Sequence, residues 1–217
     1  MSKKIIYGIL ILTIIVGATL IATIGLNLSI EYNENTKIYV YIGKKFENKE
    51  IKQIASEVFK TNKVTVRKVE VYEDMACITT EKQNSENLNE RIEELNTKIN
   101  EKYELENKTE DIVTKNEPKI KVYTIVKPYI WPVIISSVII IICSAIIFRK
   151  IGIIKTIITY ILSILGSQAL YMSIIAIARI PVDKYTMPIA LIVYMIAITA
   201  TTIIKQKQLE NYKLNEK

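Results

Sequence analysis

No histidine occurs in this 217-residue sequence, and only two cysteines do. Zinc and other transition metals are held mainly by His and Cys clusters, so the sequence offers no ligand set for such a site. Cys77 falls in a polar segment and Cys143 in an apolar run, so the two are not expected to pair, and the fold is expected to do without a disulfide. Glycine is scarce, six residues in all, and forms no phosphate-cradling loop. The polar segment holds no Ser/His/Asp or Cys/His set and no carboxylate pair placed for acid–base work. Its acids, such as Glu93 and Glu94, have the pattern of a solvated helix face. No catalytic, cofactor or metal residues are assigned, and the chain is expected not to be an enzyme.

What the sequence does have is apolar length. Half of its residues are hydrophobic, gathered in four runs at 5–28, 129–148, 156–178 and 186–204. About 20 helical residues cross a bilayer core, so each run is long enough to span one. Lys3 and Lys4 precede the first run in the manner of a signal peptide. That run exceeds a signal core of about 7–15 residues and has no clean A-x-A site after it, which predicts an uncleaved anchor. Three parts follow: 1–28 with the first span, 29–127 as a separate domain, and 128–217 with three spans and a tail.

Charge supplies a topology. Segment 29–127 carries 18 Lys and Arg against 19 Asp and Glu, while the rest of the chain holds 11 basic residues against 3 acids. Nine of those 11 lie at Lys3/Lys4, at Arg149/Lys150/Lys155 and at Lys205/Lys207/Lys213/Lys217. The positive-inside rule then places both termini and the 149–155 loop in the cytoplasm and 29–127 outside. Basicity of this kind addresses a membrane, so nucleic acid is not expected as a partner.

Within 29–127 the hydrophobic period changes in an informative order. Ile38, Val40 and Ile42 alternate as in a strand. Ile51, Ile54, Ala55, Val58 and Phe59 follow the spacing of an amphipathic helix. "KVTVRKVEVYEDMACITTE" predicts two strands joined through Glu73-Asp74, with a bulge at Arg67-Lys68 where the alternation slips. Leu88, Ile92, Leu95 and Ile99 mark a second helix with Ser85 as its cap. A last strand is expected in 103–113 or 119–126. The order β-α-β-β-α-β predicts a ferredoxin-like α+β domain carried by four membrane helices.

The membrane runs offer little polarity. Pro128, Pro132 and Pro188 are expected in first helical turns, where proline is tolerated. Small residues at spacing four, Ala18/Ala22, Ser163/Ser167 and Ala197/Thr201, mark faces where helices could approach closely. No Asp, Glu, His, Lys or Arg lies away from the ends of the four runs, so no intramembrane proton carrier is expected. Gln168, the serines and the cluster Thr199-Ala200-Thr201-Thr202 supply what polarity there is.

Three stretches carry a family resemblance. "GLNLSIE" (25–31) is similar to a G-[IL]-D-F-T-G-G motif, with Gly25 matching, Asn27 in place of the acid and Ser29 in place of the Thr. "SILGSQAL" resembles S-L-L-H-D-V, with Gln168 where an Asp stands. "DKYTMPIALIVYMIAITATTIIKQKQLE" (183–210) aligns without a gap on a longer pattern, where Asp183, Thr186, Thr201 and Glu210 match or nearly match, and Thr199-Ala200-Thr201 occupies Asn-Asp-Thr. These motifs resemble SecF, the smaller half of the SecDF protein-export accessory of the resistance-nodulation-division superfamily. Members of that family continue into two further spans, and every ionisable motif position within the membrane is replaced here. The resemblance implies a role assisting protein export in a bacterial cytoplasmic membrane. It also implies a SecD-like partner, contact with the Sec translocon and a translocating polypeptide, and any proton-carrying carboxylate supplied by the partner. Two other readings stand beside it. One is a signalling scaffold of FtsX type, against which the short loop between the second and third spans counts. The other is a decayed, membrane-anchored interaction domain.

Overall fold

The computed structural model describes residues 3–69 and 72–215. They form two compact units, one of residues 28–121 and one made of the chain before and after it.

The inserted unit follows the element order set by its hydrophobic periods: β1 (Asn35–Tyr41), α2 (Asn48–Phe59), β2 (Val64–Val69), β3 (Tyr72–Glu81), α3 (Ser85–Tyr103) and β4 (Val113–Glu117). The strands make one antiparallel sheet in the order β2-β3-β1-β4. Ile38 is opposite Ile78, which is opposite Val66, so like positions of three strands form a row across the sheet. That row, with Val40, Ile42, Val64 and Ala76, is covered by the apolar stripes of α2 and α3 in a single core. All nine helix positions picked out by spacing, from Ile51 to Ile99, are in it. Each of these side chains larger than alanine contributes on the order of 1.5–3 kcal/mol when fully buried.

Several sequence expectations shift here. The junction of β2 and β3 falls at residues 70–71, outside the described residues, and Glu73 and Asp74 belong to β3. The bulge lies one residue later than expected, between Lys68 and Val69, where the partner jumps from Ala76 to Tyr72. Asn84, not Ser85, holds the cap position of α3, and it makes no side-chain cap bond. The fourth strand is neither 103–113 nor 119–126. Asn96 and Asn100 of α3 both donate to the Asn107 carbonyl, at 2.8 and 2.9 Å, and hold the chain in an irregular path until β4 can start. Tyr103 closes α3 against α2 by donating to Glu50 Oε2 at 2.8 Å.

The second unit is helical: α1 (Lys3–Thr23), α4 (Val122–Ile147), α5 (Ile153–Ile177) and α6 (Thr186–Asn215). All four are long and apolar enough to cross a membrane. α5 is central and packs against α1, α4 and α6. α4 begins at Val122, earlier than hydropathy suggests, because "VYTIV" extends its apolar character upstream of Lys127. Pro128 and Pro132 therefore lie inside the helix rather than in its first turn, whereas Pro188 does sit in the first turn of α6. The close approach of α1 to α5 uses Gly17, against which a Cβ would collide with the backbone and side chain of Ser173. The pair Ala18/Ala22, expected at such a contact, is exposed instead.

Candidate functional site

Polar side chains in the helical unit collect along one seam. α5 and α6 run antiparallel, and Tyr160, Ser163, Gln168 and Tyr171 of α5 each bond to α6. Tyr160 Oη lies 2.7 Å from Thr202 Oγ1. The hydroxyls of Ser163 and Thr201 are 2.6 Å apart, and Thr201 also donates to the Ala197 carbonyl. Gln168 donates to the Ala190 carbonyl at 3.1 Å, and Tyr171 to the Thr186 carbonyl at 2.9 Å. Tyr194 extends the seam to α4, with its hydroxyl 2.9 Å from Ser137 Oγ. Tyr160 is fully buried and Thr201 is 5% exposed. Every rung joins neutral groups, so the seam ties the helices together by hydrogen bonds.

The four-residue cluster does not act as one site. Thr201 and Thr202 face α5, while Thr199 donates to Met195 of its own helix and lies exposed with Ala200 on another face. Ala200, which the resemblance sets against an intramembrane acid, is therefore on a different face from the seam. Glu210 is exposed near the end of α6, 3.5 Å from Gln206 Nε2.

A second cluster unites motif positions at the end of the unit where α1 stops and α6 starts. Gly25, at φ +78, caps α1 through amide contacts to Leu20 and Ile21 carbonyls. Its own carbonyl accepts from Arg179 at 2.8 Å, and Asn27 donates to the Arg179 carbonyl at 2.8 Å. The Val182 amide donates to the Asn27 carbonyl at 2.7 Å. Asp183 Oδ1 accepts from the amides of Tyr185 and Thr186, and Thr186 Oγ1 accepts from the Asp183 amide. This reciprocal arrangement is an N-cap for α6, which accounts for Asp and Thr three residues apart. Ser29 belongs to the inserted unit, and its buried hydroxyl has no hydrogen-bond partner among the described residues.

Arg179, Tyr160 and Tyr194 were not singled out by sequence reasoning. For the tyrosines a signal existed, since a phenol in the middle of an apolar run needs a partner. Arg179 had none, because its contacts lie some 150 residues upstream. Lys205 also corrects an expectation. α6 continues past Ile204 to Asn215, so this lysine lies within a helix and is 1% exposed.

No metal-holding group of three or more His, Cys, Asp or Glu occurs among the described residues. No protein-family profile matches the chain, and no curated protein is significantly similar to it.

Proposed function

We propose that this chain is a non-enzymatic, SecF-like subunit that assists protein export across a bacterial cytoplasmic membrane, together with a SecD-like partner and the Sec channel. One observation carries the reading: a β-α-β-β-α-β unit with strand order β2-β3-β1-β4 is inserted between the first and second of four apolar helices. A ferredoxin-like split would have that order, and the resemblance implies it at this place in the chain, which supports the reading. Basic residues at both ends of the chain and at 149–155 favour a topology with this unit outside and both termini in the cytoplasm.

Such a unit suits contact rather than chemistry. The sheet face turned away from α2 and α3 presents Tyr39, Tyr41 and Cys77, and β2 and β4 are free edges to which an extended chain could add. In the helical unit, Thr199 and Ala200 lie on an exposed face of α6. A partner helix bearing the missing carboxylate would dock there, and the subunit would help without carrying protons itself.

Crosslinking in native membranes tests this. A photoreactive residue at Ala200 should capture a SecD-like or SecY-like chain. Capture of a cytoplasmic ATPase instead would favour the FtsX-type scaffold, and no specific adduct would leave only an anchored interaction domain.

A further inference from the structure

Lys205 is as enclosed as the buried Tyr160 and Thr156 of α5, yet among the described residues it has neither a hydrogen-bond acceptor nor an acidic partner. The charge acting on it is a like one, the ammonium of Lys155. An ammonium on so enclosed a side chain, without a counter-ion, would be stabilised by an anion from elsewhere. Its surroundings are built for one. α6 packs here against the short 3₁₀ turn Arg149–Ile151 that leads into α5. The first backbone bond of α5 runs from the Thr156 amide to the Gly152 carbonyl, so among the described residues the amides of Ile153, Ile154 and Lys155 have no backbone acceptor. They form the positive end of a 25-residue helix. Arg149 and Lys155 add charge of the same sign, and no acid occurs in 149–156 or 199–209.

The level along the helix identifies the kind of anion. Lys205 lies roughly 29 Å along α6 from Thr186, at about 1.5 Å per residue, and a hydrocarbon core is about 30 Å thick. The cluster therefore falls where phospholipid phosphates lie. A phosphate accepts from backbone amides and an ammonium at once, which suits this donor set.

We propose that the start of α5, the Arg149–Ile151 turn and Lys205 together bind a phosphate-bearing anion at the membrane surface. The inference rests on α5 and α6 crossing a membrane and is independent of any role in export. Two sources share this chemistry, an anionic phospholipid headgroup and free phosphate. The full-length protein is compared in nanodiscs of phosphatidylcholine with and without phosphatidylglycerol, and in detergent with phosphate or chloride at equal ionic strength. Thermal midpoint and retained lipid are read for each. Phosphatidylglycerol, phosphate or both should raise the midpoint of the wild type. A gain confined to lipid assigns the headgroup, and a gain from phosphate alone assigns the free ion.

Lys205→Met should weaken that binding by about tenfold or more, the factor carried by one charge-assisted hydrogen bond. Lys184→Met, near the other end of α6, should leave it unchanged. In phosphatidylcholine Lys205→Met should be at least as stable as wild type, which verifies its fold. If it does not fold, Lys155→Met, at an exposed position, should show a smaller loss in the same direction. The proposal is overturned if the wild type responds to neither anion, or if the folded lysine variants respond as wild type does.

Discussion

The two units of this protein are built in opposite senses. In the inserted unit, isoleucine, valine and leucine fill the interior and charges cover the outside, with ion pairs such as Lys63–Glu81 and Lys98–Glu94 at the surface. In the helical unit, isoleucines such as Ile11, Ile154 and Ile196 are more than half exposed, while serine, threonine and tyrosine hydroxyls face inward. The first arrangement drives apolar surface out of water. Within a membrane, which these helices are long and apolar enough to cross, the second would gain nothing from burying isoleucine, and shape and hydrogen bonds would hold its helices together. The contrast separates cohesion by burial from cohesion by close fit.

The largest expected effect is on the burial side. Ile78→Ala removes a fully buried side chain at the centre of the sheet and should destabilise the inserted unit by about 2–5 kcal/mol. Hydrogen exchange should accelerate in β1, β2 and β3 while the amides of α5 keep their protection. Equal acceleration in both units would mean they do not fold as separate cores.

Next comes the close fit. Gly17→Ala places a Cβ into Ser173 and should cost about 1–3 kcal/mol, as overpacking does. Disulfide trapping between cysteines placed on α1 and α5 should report the separation. Ser173→Gly should recover part of the loss.

A smaller effect is pH-dependent and belongs to the inserted unit. Burial, reinforced by the bond to Glu50, pushes the Tyr103 phenol up to about 12. In turn, the bond from Tyr103 holds the Glu50 carboxyl below its usual range. For the phenol, stability is fully present below the unfolded value near 10 and is lost as pH rises toward about 12. For the carboxylate, stability is present at neutral pH and is lost as pH falls through its lowered folded value. Tyr103→Phe should flatten both limbs of a stability–pH curve.

Least is expected of the seam hydroxyls singly. Thr201→Val should cost about 0.6 kcal/mol, a usual value for an interhelical hydrogen bond in a membrane. Thr199→Val should cost less still, since its hydroxyl bonds only within α6. Detergent unfolding of the two variants, compared side by side, checks that order.

What could be foreseen from the sequence follows the same contrast. The stripes of α2 and α3 and the alternation of β1 were legible because burial imposes a period. β4 was not, since "VTKNE" is an edge strand with four of its five residues exposed and no apolar alternation. Hydropathy located the four long helices but misjudged two ends. Lys127 does not stop α4, which continues through Pro128 and Pro132 inside the helix, and Lys205 does not stop α6, where no proline or glycine follows it. Asp183 and Thr186 were noted as a motif, and their three-residue spacing is the local signature of a cap. The link from Arg179 to Gly25 and Asn27 joins distant segments and leaves no periodic trace.

The central proposal is that the polar seam of α5 and α6 is structural and carries no protons. The direct test is H⁺ flux through the purified, partner-free protein in sealed vesicles under an imposed pH gradient. Decay of the gradient should match that of empty vesicles. Faster decay that is lost in Thr201→Val would contradict the account.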